Sequence, residues 1–321
     1  MIMIMKRCIM LSAICAAALL AAPWTTAQVA TPPRGNPASA PADKRVLIIS
    51  VDGLRPDLAL RAETPTLHGL LKHGSFSFWA RTTAVSVTLP SHTSMLTGVV
   101  PGKHGIEWND DLPLKKPIYP RWPTLFEVAH KAGLTTAMIV GKSKFGALAK
   151  PGTLDWTEVP YEQTTDDFVG DHAVAVIHDH KPQVLFVHFP DVDAAGHKFG
   201  WSSPEQMKAI EGADAQIRRV LEALDQEHLR DRTLIIVTSD HGGAGRNHGA
   251  DDARSRHIPW IAVGPGVHEC LDLTIFPRLT INTEDTFATA CRFLGIPLAD
   301  DIDGKPVTQI TEPIHAVGRY E

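Results

Sequence analysis

Three short stretches of the chain, residues 46–49, 184–187 and 234–237, are apolar at every position and then turn abruptly polar. They run into Ser50-Val51-Asp52-Gly53, His188-Phe189-Pro190-Asp191-Val192-Asp193 and Thr238-Ser239-Asp240-His241-Gly242. A strand with one wet face alternates in polarity; an unbroken, largely β-branched run fits a strand buried on both faces. Residues 135–140 and 258–263 read as further strands. Helical spacing is predicted over 65–73, 122–133, 166–180, 204–229 and 282–294, with Pro near several of the starts. Strands alternating with helices give an α/β fold: a mainly parallel central sheet with helices on both faces.

Composition narrows the function classes. With 44% hydrophobic and 21% charged residues, the chain is globular in type. Residues 1–27 place Lys6 and Arg7 before an apolar run and then small residues, the order of a secretory signal peptide cut after Ala27. The apolar run, residues 8–22, is short for a bilayer span of about 20 residues. The expectation is a periplasmic or secreted protein with no membrane span after processing, a flexible linker over 28–43, and one catalytic α/β domain over 44–321. Loss of Lys6 and Arg7, two positive charges, moves the formal charge from −5 to −7. Such a chain has no electrostatic footprint for nucleic acid. Cys8 and Cys15 leave with the signal, so Cys270 and Cys291 form at most one staple.

In open parallel sheets, ligands bind beyond the carboxyl ends of the strands. Asp52, the Asp191/Asp193 pair and Asp240 therefore fall at one rim. Asp193 and His197 lie four residues apart across Gly196, as in a metal-binding turn; His241 adjoins Asp240, and His248 follows. Mixed imidazole and carboxylate donors suit Zn²⁺, and less well Mn²⁺ or another divalent ion. There are enough of them for two metals. The segment from Ser86 to Gly98 offers a nucleophile, Thr88, in an extended turn, with Pro90 starting a helix whose free N–H groups face an anion. A hydroxyl on Zn²⁺ ionises far more readily than a free one. Read alone, the same segment is more simply a Ser/Thr-rich loop ending in a capped helix. Gly242-Gly243-Ala244-Gly245 has neither the P-loop nor the dinucleotide order.

Taken in order, Val51-Asp52-Gly53-Leu54-Arg55-Pro56-Asp57, Thr64-Pro65-Thr66-Leu67, Thr88-Leu89-Pro90-Ser91-His92, Leu96-Thr97-Gly98 and His104-Gly105-Ile106 are followed by Asp193 to His197, Ser239-Asp240-His241-Gly242, His248-Gly249 and Gly264-Pro265-Gly266. This series resembles the alkaline phosphatase superfamily, in its type I phosphodiesterase/nucleotide pyrophosphatase branch. The resemblance implies an alkaline phosphatase-like fold and a small phosphate-ester substrate. It implies one zinc held by Asp52, Thr88, Asp240 and His241, with Thr88 also the nucleophile, and a second held by Asp193, His197 and His248. It further implies that a phosphothreonine enzyme forms and is then hydrolysed.

Three departures accompany it. Ser91 stands where a longer asparagine is expected to touch a phosphoryl oxygen. Only six residues separate His241 from His248, where the better-known diesterases carry a long insertion, so nucleotide selectivity does not follow. His257 rivals His248 as the last ligand, with glycine after His248 favouring the latter. Threonine at 88 speaks against a sulfatase, which needs cysteine or serine there, and leans toward diesters. A phosphomonoesterase or phosphonate hydrolase of the same superfamily remains the alternative reaction, and an exported, non-catalytic metal- or ligand-binding protein the alternative of another class. His92, His104 and His188 are left undecided between pocket and packing.

Overall fold

A computed structural model describes residues 43–110, 118–249 and 251–314. Residues 1–27, expected to be a signal peptide, and nearly all of 28–43, expected to be a linker, lie outside the described residues. The chain order is β1 (Arg45–Val51), α1 (Pro56–Arg61), α2 (Pro65–Lys72), β2 (Ser75–Arg81), α3 (Thr88–Thr97), α4 (Pro101–His104), α5 (Leu125–Lys131), β3 (Thr136–Val140) and β4 (Trp156–Glu158). It continues with α6 (Asp166–His180), β5 (Val184–Phe189), α7 (Asp191–Phe199), α8 (Pro204–Gln226), β6 (Thr233–Thr238), α9 (Ala253–Arg256), β7 (His257–Val263), β8 (Leu271–Asp272) and α10 (Asp285–Leu294).

The strands form one sheet in the order β4-β3-β5-β1-β6-β7-β2-β8. Every pairing is parallel except those of β7, which runs against both β6 and β2. The expected mainly parallel α/β fold is therefore present, with one reversed strand. Alternate residues of the apolar runs serve opposite faces. Val46 and Ile48 pack with α3, α5 and α10, through Leu89, Phe126 and Phe287 among others. Leu47, Ile49 and Val51 pack with α1, α2, α6 and α8. Burial on both sides is why these runs cannot alternate.

The register carries the function. Ser50 lies level with His188 on β5 and with Thr238 on β6. The polar residues following three central strands thus emerge along one edge. Cys291 is buried in the core and Cys270 is exposed, both as free thiols, so Cys291 acts by packing. Among the described residues, no helix is long and apolar enough to cross a membrane.

Candidate active site

Thr88 is the first helical residue of α3, preceded by Val87 in extended conformation (φ −133°, ψ 153°). The helix thus starts two residues earlier than expected: Pro90 is tolerated in the first turn, where its missing N–H leaves no helical bond unmade. The expected free N–H groups are largely spent. Leu89 N–H donates to Asn109 Oδ1 at 2.8 Å, and Ser91 N–H to the Val87 carbonyl at 3.1 Å. Thr88 itself is 1% exposed, and its Oγ1 lies 3.4 Å from His241 Nε2.

Asp193 and His197 sit not on a turn but on α7, where four residues bring two side chains to one face. Gly196 reads as a turn signal and has another cause: a Cβ there would come within 2.9 Å of the Trp201 ring and of Gln206. Gly53, at φ 75°, turns the chain after Asp52 and sends its N–H to Asp240 Oδ1 at 3.1 Å.

The three histidines that face these acids share one arrangement. Nδ1–H donates to a main-chain carbonyl: that of Gly242 from His241 (2.9 Å), Arg246 from His197 (2.9 Å) and Ser86 from His248 (2.9 Å). A carbonyl oxygen only accepts, so each ring carries its proton on Nδ1 and turns the Nε2 lone pair inward. His241 Nε2 lies 3.4 Å from Asp52 Oδ1 and 3.2 Å from Asp240 Oδ2; Asp193 Oδ1 lies 3.4 Å from His197 Nε2 and 3.7 Å from His248 Nε2. Asp52 Oδ1, Asp193 Oδ1 and Asp240 Oδ2 are buried oxygens with no hydrogen-bond partner. Buried carboxylate oxygens left unpaired facing basic nitrogens are costly without a cation.

Spacing agrees with that requirement. Four donors around a tetrahedral metal at 2.0–2.1 Å are about 3.3 Å apart. Asp52 Oδ1, Asp240 Oδ2 and Thr88 Oγ1 stand 3.2–3.4 Å from His241 Nε2. Both Asp193/His197/His248 and Asp52/Asp193/His241 bring one donor atom each within 4.8 Å of the others. The residues present fit divalent metal.

Charge is shared unequally. Burial works against ionising Asp52, but the adjacent Lys142 and His188 outweigh it and hold the carboxyl well below the usual range. Burial raises Asp240 well above its usual value, helped by the charge on Asp52. Burial, then the neighbouring His248, lowers His241 to about 4, and burial also lowers His248. Both rings are neutral at ordinary pH, as a metal ligand must be.

Other sequence candidates fall elsewhere. Ser91 is buried, and its Oγ bonds the hydroxyls of Thr82 (2.8 Å) and Thr83 (3.0 Å) rather than facing the crevice. Asn109 instead stands beside Thr88 in space, its Oδ1 accepting from the N–H of the next residue, Leu89. Asp191 Oδ2 accepts from Asp166 N–H (3.0 Å), while Asp166 Oδ1 accepts from Asp191 N–H (2.9 Å), tying the starts of α6 and α7 together. His257 stands at the start of β7 with its ring edge-on to Trp79, 4.6 Å between centroids. His248, by contrast, stacks on His241 at 3.7 Å.

Three further residues take parts that sequence did not assign them. Gly141 N–H donates to His188 Nδ1, so Nε2–H of His188 donates to Asp52 Oδ2 at 2.8 Å. His188 is thereby an orienting group with no lone pair to offer. His92 donates from Nδ1 to the Thr88 carbonyl and accepts from Ser50 Oγ, both at 2.8 Å. Lys142 reaches Asp52 and Asp193 together. It directly follows β3 and Gly141, at the same edge as Asp52 and Asp240, so the strand-end rule applied to cations would have found it.

Residues 46–252, a span that contains Asp52, Thr88, Asp193, His197, Asp240, His241 and His248, match the family described as type I phosphodiesterase / nucleotide pyrophosphatase. Bovine bis(5'-adenosyl)-triphosphatase ENPP4 is 28% identical over 229 residues, covering 65% of this chain and 49% of that protein. Human ectonucleotide pyrophosphatase/phosphodiesterase family member 7 is 24% identical over 217 residues, 62% of this chain and 47% of that protein. The chain spans about half the length of these curated relatives. Among solved structures, an inactive form of murine ectonucleotide pyrophosphatase/phosphodiesterase 5 in complex with AMP superimposes with a TM-score of 0.67 at 15% identity, covering 80% of this chain and 96% of that one. A 2-O GAG sulfatase gives a TM-score of 0.69 at 16% identity over 84% of this chain and 74% of that one. These superpositions establish an alkaline phosphatase-like fold.

Proposed function

The chain belongs to the type I phosphodiesterase/nucleotide pyrophosphatase family, and from that premise we propose that it is an exported two-zinc phosphoric ester hydrolase acting through a phosphothreonine intermediate. One observation carries the reading. Three unpartnered carboxylate oxygens, three inward imidazole lone pairs and one buried threonine hydroxyl meet at the carboxyl edge of the sheet, at spacings suited to tetrahedral zinc. Asp52, Thr88, Asp240 and His241 would hold one metal; Asp193, His197 and His248 would hold the other. When bound, the ions would lower the pKa of the Thr88 hydroxyl and neutralise phosphoryl charge.

The chain's own groups account for the rest. Thr88 Oγ1 attacks phosphorus in line, forming the Oγ1–P bond as the bond to the leaving oxygen breaks. Water then cleaves Oγ1–P and returns the hydroxyl. The His92 Nδ1–H bond to the Thr88 carbonyl fixes the nucleophile's backbone. With its Oδ1 taken by Leu89 N–H, Asn109 has its NH₂ end to offer a phosphoryl oxygen, the part first assigned to Ser91. The names of the relatives favour diesters and nucleotide pyrophosphates as substrates. Export rests on the order of charge, apolar run and small residues over 1–27.

Purified protein is expected to hydrolyse bis-p-nitrophenyl phosphate faster than p-nitrophenyl phosphate, to lose both activities to a chelator, and to regain them with Zn²⁺. Activity that survives exhaustive chelation would overturn the metal reading; faster turnover of the monoester would move the reaction to phosphomonoesters.

A further inference from the structure

The candidate site holds three buried carboxylates, on Asp52, Asp193 and Asp240, and one buried ammonium, on Lys142. Lys142 Nζ donates to Asp52 Oδ2 at 2.7 Å and to Asp193 Oδ2 at 2.6 Å. Its side chain is 6% exposed. The two acids come from different strand ends, one after β1 and the other on α7 after β5. In the reading above they serve different metals, on which this inference rests. Each carboxylate is therefore split: Oδ2 is tied to Lys142, and Oδ1, unpartnered, faces the imidazole nitrogens. A point charge with three rotatable donors can hold two carboxylates in this way.

The ammonium does two physical jobs. It turns Oδ1 of both acids toward where a cation would sit, the outer-sphere function that other groups perform for histidine ligands. It also supplies the only positive charge in contact with the acid cluster among the described residues, apart from any carried by histidine. A cluster that lost the ammonium would leave the Asp52 and Asp193 carboxylates in a low-dielectric volume without their shared partner, which strongly destabilises a fold.

We propose that Lys142 is the resident counter-cation of the site, tying one carboxylate of each ligand set so that both sets stay assembled before metal arrives. Its work is then greatest in metal-free protein and is largely taken over by divalent metal. An ordinary structural salt bridge would matter equally in both forms.

The test compares melting temperatures of full-length wild type, Lys142→Met, Lys142→Arg and, as a surface-bridge control, Lys103→Met, which breaks the Lys103–Asp303 pair. Each is measured after exhaustive chelation and again with excess Zn²⁺. Lys142→Met is expected to melt at least 10 °C below wild type when metal-free and within a few degrees of it with zinc, so that its zinc-induced rise exceeds that of wild type. Lys142→Arg keeps the charge and is expected to restore most of the metal-free stability. Lys103→Met is expected to shift both forms alike. A Lys142→Met chain that folds only when zinc is present also supports the proposal. Equal losses with and without zinc, no loss, or a chain that zinc does not rescue would each overturn it. A wild type whose melting does not respond to zinc would instead overturn the two-metal reading itself, and this inference with it.

Discussion

Thr88 is held on three sides before any substrate arrives: its carbonyl accepts from His92, the next N–H is taken by Asn109, and its Oγ1 faces His241. In the proposed mechanism no other hydroxyl shares this position, because Ser91 Oγ is bonded to Thr82 and Thr83. Thr88→Ala is accordingly expected to lower kcat by roughly a thousandfold or more. Metal analysis of that variant should still give two zinc ions per chain, since each proposed ligand set retains at least three protein donors. Substantial turnover by Thr88→Ala would remove the threonine from its part. The acids and inward-facing histidines of the site were legible because each stands just beyond an apolar run or beside a glycine, and the position of Lys142 just after β3 follows the same rule. The parts of His188, Asn109 and Lys142 were not, because they depend on which atom meets which. Sequence does not reveal that the Gly141 N–H leaves the proton of His188 on the far nitrogen, or that Asn109 folds back on Leu89.

At the scale of elements, α7 shows how one spacing can be read correctly for its face and wrongly for its shape. The four-residue spacing of Asp193 and His197 does bring the two side chains to one face, but the turn inferred from Gly196 is a helical face pressed against Trp201. Of the strands not predicted, β2, β4 and β8, the longest is β2: its alternation breaks at a bulge against β7, and Trp79 there is 63% exposed. The start of α7 also separates Asp191 from Asp193. Asp191 and Asp166 each accept the other's N–H, a reciprocal cap joining α7 to α6. Burial raises both acids, and the charge of Asp191 adds to the effect on Asp166. Asp191→Ala is therefore expected to cost about 1 kcal/mol of stability, the usual scale of a lost cap, in urea unfolding. It should leave the zinc stoichiometry at two. Loss of one zinc from Asp191→Ala, with normal loading of Asp193→Ala, would exchange their parts.

For the whole molecule, the central strands were legible because burial on both faces imposes a local signature, whereas sheet order and the reversal of β7 are decided by packing between distant segments. The region beyond the family match supplies part of that packing. In the same core layer, Phe287 and Cys291 of α10 join Leu89 and Met95 of α3, so α10 backs the helix that carries Thr88. At its start Glu284 is raised from 4.5 to about 7, chiefly by burial and then by the charges of Asp285 and Asp303. Below pH 4.5 Glu284 is protonated folded or unfolded and imposes no penalty. As pH rises toward 7 the unfolded chain releases the proton while the folded chain keeps it, so folding loses stability until the folded group also ionises. At 1.36 kcal/mol per unit, and discounted for partial exposure, the loss is about 1–3 kcal/mol. Glu284→Gln cannot ionise, so its stability relative to wild type is expected to climb between pH 4.5 and 7.5 and then level off. Urea midpoints of the two proteins, measured with saturating zinc across that range, give the difference directly. A difference that is flat with pH would mean that Glu284 ionises as it does in water, and that the packing of α10 against α3 does not strain this carboxyl.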